Sequence, residues 1–188
     1  MNEVIKAAYH EASHVIFAYF VGYTCDSIQL DEEGNGYAKL KYGIDTSVVE
    51  VFLKNPSDPS ALLHWVNNLS TNTKAYASNV AEKVCLILIS GAVAEFVLEH
   101  SPNVSGELNI EVSGPDLVSA NILSQCFQFD LNKKILTILE FLKVPEFWNA
   151  VKLLANVITE SGKGAITNEV IEVNLEHSGF LKLIKKYG

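Results

Sequence analysis

Apolar residues recur at helical spacing from the start of the chain. Val4, Ile5, Ala8, Ala12, Val15, Ile16, Tyr19 and Phe20 form one stripe, and Phe17 and Val21 continue the face that carries His10 and His14. The spacing predicts a helix buried on most sides, ended where Gly22 breaks the period. Residues 25–30 then alternate, residues 31–36 are a turn-forming Asp-Glu-Glu-Gly-Asn-Gly cluster, and residues 37–42 alternate again, which predicts a β-hairpin or small sheet. Residues 43–74 are mixed. Pro56 and Pro59 flank Asp58, Leu62-Leu63-His64-Trp65 has a short helical signal, and the segment as a whole reads as a candidate lid or specificity loop.

The strongest later signal is a helix over 74–99. Val80, Val84, Ile87, Leu88, Gly91 and Leu98 share its stripe with Glu95, a carboxylate expected to be buried and therefore paired, while Gly91 would let two helices approach closely. Residues 100–114 read as loop. Ser113-Gly114-Pro115-Asp116 reads as a helix start, continued through Leu117, Ala120, Ile122, Leu123 and Phe127. Helices over 132–142 and 146–161 flank Pro145, a Gly162–Gly164 turn follows, and helices over 168–175 and 178–186 close the chain. The fold class is mainly α with a small β-hairpin or sheet (α+β), in one domain spanning 1–188, the length at which a single well-packed core is the ordinary outcome.

Composition narrows the function classes. A hydrophobic share of 48% with 19% charge and a mean hydropathy of +0.18 describes an ordered globule. The formal net charge of −8 argues against nucleic acid or an anionic membrane as the main partner, because phosphate contacts need clustered Lys and Arg. Lys182, Lys185 and Lys186 form the basic cluster, and they suit the dipole of a C-terminal helix. Cys25, Cys85 and Cys126 are odd in number and widely spaced, neither a disulfide framework nor a CxxC ligand set, which points to a reducing compartment. The apolar run over 84–98 is interrupted by Ser90, Gly91 and Glu95 and is short for a membrane span, and no secretory leader pattern is present. The expectation is a soluble, cytoplasmic protein.

Candidate chemistry sits in the first helix, where His10-Glu11-Ala12-Ser13-His14 has the HExxH pattern. Residues four apart on a helix are separated by roughly 400° of rotation and about 6 Å of rise, so the two imidazoles project from one face as a pair of metal ligands. Glu11 lies about 100° round the helix, within reach of a water on that metal, where a metal hydrolase places its general base. A tetrahedral zinc needs one more protein ligand and an open position for water. The HExxHxxGxxH pattern fails at Phe17 and Phe20, and Glu32 and Glu33 fall in the turn cluster. Asp116 is the better candidate, a carboxylate at a helix N-terminus after a loop long enough to return to the first helix. Glu95 is the candidate partner behind a metal-bound histidine. His64, alone in a polar segment, reads as a surface or packing residue. The exposed edge of the hairpin either holds an extended peptide by strand addition or only covers the helix.

Four blocks in order also resemble one family. Ala8-Tyr9-His10-Glu11-Ala12-Ser13-His14 resembles the AYHEAGHA segment of FtsH-type ATP-dependent zinc metallopeptidases, and Gly36-Tyr37 continues the likeness. Ser90-Gly91-Ala92-Val93-Ala94-Glu95 is similar to that family's GGRAAEE, and Ser113-Gly114-Pro115-Asp116-Leu117 to its SNDL. The tail from Trp148 to about Val173 resembles the helical end of the same peptidase domain. The resemblance implies a mostly helical fold with a small sheet, zinc held by His10, His14 and Asp116, and Glu11 as general base in peptide-bond hydrolysis.

The chain departs from that family at named positions. Ser13 replaces a glycine, Ala92 an arginine, Phe96 a second glutamate and Pro115 an asparagine, and residues 43–74 resemble an insertion. The phosphate-cradling GxxxxGKS or GxxxxGKT pattern does not occur; Ser161-Gly162-Lys163-Gly164 lacks its leading glycine and its hydroxyl. The expected substrate is thus a peptide or an already unfolded protein segment, cut independently of ATP or with an ATPase acting in trans. The alternatives are a catalytically inactive metal-binding relative serving as a binding or regulatory module, and a metal hydrolase of small amides.

Overall fold

Helix α1, Glu3–Phe20, opens where the Asn2 side chain accepts from the Val4 amide at 3.0 Å. It closes on Gly22, which takes φ +91°, while Tyr23 N–H donates to the Ala18 carbonyl at 2.8 Å and Gly22 N–H to the Tyr19 carbonyl at 3.2 Å. That pair of bonds caps the helix and turns the chain directly into a strand. The fold is a computed structural model describing residues 2–31, 35–54, 59–100, 114–162 and 164–187. It is mainly α-helical with a small three-stranded antiparallel sheet.

Strand β1, Thr24–Leu30, pairs with β2, Gly36–Lys41, from Thr24↔Lys41 to Leu30↔Gly36, with an irregularity between Cys25 and Ser27. The bulged Asp26 meets Lys39 at 3.4 Å and also Lys41. A third strand, β3, Ile166–Thr167, pairs with the other edge of β1, so the order is β2-β1-β3 and β2 is an outer strand. The hairpin expected from the alternation is therefore part of a slightly larger sheet.

The described residues of 43–74 are mostly helical rather than loop-like. A 3-10 turn at Gly43–Asp45 leads into α2, Thr46–Lys54, and α3, Pro59–Asn67. Val49, Phe52, Leu62 and Val66 are buried against Val80, Ala81 and Val84 of α4, Thr71–His100, and against Ile122, Leu123 and Cys126 of α5, Pro115–Phe127. Phe52 meets Trp65 and Phe127 with ring centroids 6.1 and 5.6 Å away. This roof is anchored by the buried Asp45, which accepts from Tyr23 Oη at 2.7 Å and from Tyr76 Oη, with Lys83 Nζ at 4.0 Å. A buried carboxylate is tolerated there because donors and a cation surround it.

The main core forms where α1 crosses α4 and α7, Pro145–Ser161, with α6, Leu131–Lys143, α8, Asn168–His177, and α9, Phe180–Tyr187, closing it. Phe17 is fully buried, with Phe147 at 5.8 Å and Phe141 at 6.2 Å; Phe147 in turn meets Phe180 at 5.0 Å. Full burial of one such side chain contributes about 1.5–3 kcal/mol over exposure, so this cluster is what fixes α1 in place. Burial begins at Ala8, whereas Val4 and Ile5 are 38% and 36% exposed, so the apolar stripe extends one turn beyond the packed part of α1. None of the described helices is long and apolar enough to cross a membrane.

Candidate metal centre

Two rows of side chains at four-residue spacing run antiparallel to one another. On α1 the row is Lys6, His10 and His14; on α4 it is Ile87, Gly91, Glu95 and Glu99. Lys6 Nζ lies 2.9 Å from Glu99 and 3.7 Å from Glu95, His10 Nδ1 lies 2.5 Å from Glu95 Oε1, and His14 Nδ1 lies 2.7 Å from the Ile87 carbonyl. Ser90 Oγ, fully buried, donates to the same carbonyl at 2.7 Å. Gly91 supplies the room: a β-carbon there would stand 2.5 Å from His10 Cδ2 and Nε2. The close helix approach expected of Gly91 is thus a cut-out for the His10 ring.

Asp116 comes from the far side. Gly114 takes φ +118°, Pro115 occupies the first turn of α5, and Asp116 sits beside it at the positive end of the helix dipole. Its Oδ2 lies 3.2 Å from His10 Nε2 and 3.2 Å from His14 Nε2. Ligand atoms about 2.0–2.1 Å from a tetrahedral zinc are about 3.3 Å apart, so the separation of each histidine nitrogen from the Asp116 oxygen is that of two ligands on one such centre.

The hydrogen bonds behind the rings decide what can lie between them. A carbonyl oxygen only accepts, so His14 Nδ1 carries the proton and the Nε2 of its neutral ring presents a lone pair. The Glu95 carboxylate imposes the same tautomer on His10. Two lone pairs and a carboxylate oxygen then converge, and the arrangement requires positive charge at its centre. Two protons would make two imidazolium rings with centroids 4.5 Å apart in a half-buried site, a like-charge pair of considerable cost. One divalent cation replaces both protons and lets both rings remain neutral, so the donor set fits a metal.

The electrostatics of the metal-free site agree with that demand. Burial works against a charged His10, but the Asp116 and Glu95 carboxylates outweigh it and hold the ring up to about 9. Burial likewise opposes the Asp116 carboxylate, yet His10 and His14 hold it well below the usual carboxylate range. Glu11 goes the other way: burial raises its carboxyl, against the pull of His14 and His10.

Glu11 is 7% exposed and packs on β2. A β-carbon on Gly36 would stand 2.5 Å from Glu11 Cδ, and the nearby Ala38 backbone partly offsets the effect of burial on the carboxyl. His10, Glu11 and His14 offer ligand atoms within 4.8 Å of one another, a group that can hold a metal ion. They line a cleft of about 680 Å³ together with Asp116 and Glu95, strand β2 from Gly36 to Leu40, and Tyr42, Leu53, Leu88 and Leu117.

The fold thus brings together His10, Glu11, His14, Asp116 and Glu95. Glu95 is less buried than its stripe predicts, with its side chain 31% exposed at the cleft rim, where Lys6 shares it. His64 is elsewhere, exposed on α3 with its ring nitrogen 3.2 Å from Asn68 Nδ2. Glu32 and Glu33 lie outside the described residues. Sequence reasoning named Gly36 only within the resemblance and missed its contact with Glu11, as it missed the Ile87 carbonyl and Tyr42; the two antiparallel four-residue rows are the signal from which the Ile87 position can be read. Comparison with family models, curated proteins and solved structures gives no match.

Proposed function

We propose that this chain is a zinc-dependent metallopeptidase of the FtsH type, acting on peptides or unfolded protein segments. The observation that carries the reading is the convergence of His10 Nε2 and His14 Nε2 on one Asp116 oxygen at 3.2 Å, with both Nδ1 atoms committed as donors elsewhere. The family kinship is supported by the way the four resembling blocks meet at one cleft, through His10 and His14, Gly36 and Tyr37, Ala92 and Glu95, and Pro115 to Leu117.

In this reading His10, His14 and Asp116 hold the zinc. Glu95 and the Ile87 carbonyl fix the two rings in the ligating tautomer. When bound, zinc supplies Lewis acidity to the carbonyl oxygen and acidifies the attacking water. Glu11, beside the two histidines, accepts a proton from that water and delivers it to the leaving amine. Burial raises its carboxyl, which makes it the stronger acceptor for the water proton. Strand β2, an outer strand along the cleft, positions an extended substrate by strand addition, and a cleft of this size suits a peptide better than a small amide. The three cysteines, free and buried, fit a reducing, cytoplasmic setting.

Elemental analysis of purified protein, paired with hydrolysis of a fluorogenic peptide library and unfolded casein, tests the reading. Expected are stoichiometric zinc, activity abolished by chelator and restored by zinc, and a Glu11→Gln variant that keeps the metal but loses roughly 10²–10⁴ in rate. A metal-replete wild type no faster than Glu11→Gln overturns it.

A further inference from the structure

The buried tyrosines of this fold commit their hydroxyls to the fold: Tyr23 to Asp45, and Tyr19 to Asn168 and Glu172. Tyr42 is different. It is partly buried and lines the cleft, its ring packs edge-on against Tyr23 with centroids 5.2 Å apart, and its hydroxyl has no hydrogen-bond partner among the described residues. Tyr42 lines the cleft and its hydroxyl is committed to none of the described residues, which leaves this donor free for a group that enters the cleft from outside.

Its position follows from the pleat. Gly36, Ala38 and Leu40 are the half-buried positions of β2 and Tyr37, Lys39 and Lys41 the exposed ones, so the inner face that seats Glu11 at Gly36 and Ala38 leads on to Tyr42. Tyr37 also borders the cleft, but it is 65% exposed on the outer face, where water competes for its hydroxyl.

Resting on the peptidase reading, we propose that Tyr42 donates a hydrogen bond to the carbonyl oxygen of the scissile peptide as that oxygen becomes an anion. The water oxygen adds to the carbonyl carbon, the π pair of the C=O bond moves onto oxygen, and the water proton passes to Glu11. Collapse re-forms the C=O bond, breaks the C–N bond and takes that proton to the amine nitrogen. The Tyr42 proton stays on the phenol throughout. Burial, assisted by Tyr37, Cys25 and Asp116, pushes this phenol up to about 12, so at neutral pH it is a donor. The contribution is largest in the transition state, where the acceptor is charged.

Tyr42→Phe keeps the ring and its packing on Tyr23 and removes the donor. Zinc content, melting temperature, kcat and KM are compared with wild type, as is the Kd of a phosphinic peptide, a tetrahedral anion with apolar side chains on both sides of phosphorus. Expected are unchanged zinc and melting temperature, kcat lower by roughly 10- to 100-fold with KM little changed, and phosphinic-peptide affinity weakened in proportion. Wild-type kcat and wild-type phosphinic-peptide affinity in Tyr42→Phe would overturn the role of Tyr42 and leave the peptidase reading standing. A zinc-loaded wild type that neither cleaves peptides nor binds the phosphinic peptide overturns both.

Discussion

His14 and Asp116, 102 residues apart in the chain, face each other at 3.2 Å through Nε2 and Oδ2, with the His14 proton held on the opposite nitrogen by the Ile87 carbonyl. With both rings neutral, His14 and Asp116 present electron pairs to each other and His10 adds a further pair at the same oxygen, so the cluster calls for a cation. A fold that assembles such a cluster from α1 and α5 is stabilised by whatever cation enters it.

The first consequence is thermal. A ligand that binds only the folded state at 100 times its Kd adds about 2.7 kcal/mol, and a domain of this length gains roughly 2–4 °C per kcal/mol. Zinc added to chelator-treated protein is therefore expected to raise Tm by roughly 5–10 °C, and Asp116→Ala to abolish most of that shift. Scanning fluorimetry with and without zinc measures it. An unchanged wild-type Tm across a zinc titration would speak against a metal centre here.

Glu95 touches only the back of His10, at 2.5 Å from Nδ1, and shares Lys6 with Glu99. Glu95→Ala is expected to weaken zinc binding by about 10- to 100-fold, with Glu95→Gln intermediate because an amide oxygen still accepts while the charge is gone. Competition against a chromophoric chelator gives the Kd. Equal affinities for wild type and Glu95→Ala would mean that the His10 ring is held by packing alone.

Gly91 sets two effects against each other. Replacing a mid-helix glycine by alanine normally favours the helix by about 1 kcal/mol, but here the new β-carbon would stand 2.5 Å from the His10 ring, which is already confined by Glu95 and Asp116. Gly91→Ala is expected to displace the ring and reduce zinc affinity more than tenfold, while the Tm of the metal-free protein moves by only a few degrees. Metal titration and apo-protein melting, run side by side, separate the two effects; retained zinc affinity would show that the ring has room to move.

Much of this centre was legible because local rules suffice for it. His10 and His14 are on one helix at a spacing that fixes their shared face, and Pro115 with Asp116 marks a helix start whatever lies elsewhere. The stripe of α4 contained Ile87, Gly91 and Glu95, yet what Ile87 contributes is a backbone carbonyl, on which side-chain type is silent. The roof was harder to read. Val48, Val49 and Val51 are β-branched, which lowers the helical signal of a nine-residue element that is stabilised mainly by tertiary packing of Val49 and Phe52. Strand β3 is two residues long, and only its pairing with Ser27 and Ile28, far away in sequence, makes it a strand. Tyr42 showed nothing unusual in the alternation of β2; the role proposed for it was not legible there, because it depends on which hydroxyls its neighbours have already committed.

Alkaline pH should destabilise this protein through groups that the fold keeps neutral. Burial pushes the Cys85 thiol up to about 12 and does the same to Cys25 and the Tyr42 phenol, while the Tyr23 phenol is raised beyond the usual range by burial and by its bond to Asp45. In the unfolded chain the thiols ionise near 9 and the phenols near 10. The folded values are the higher ones, so the folded state retains protons that the unfolded chain loses. The associated stability is fully present below about pH 9 and is lost as pH rises toward 12. Urea unfolding of chelator-treated protein at successive pH values between 8 and 11 is expected to give a midpoint that falls steadily above pH 9. Cys85→Ala, which removes one of these groups from a fully buried position, should flatten that decline while costing some stability at pH 8 through the space it leaves. A midpoint constant to pH 11 would show that these side chains reach water in the folded state.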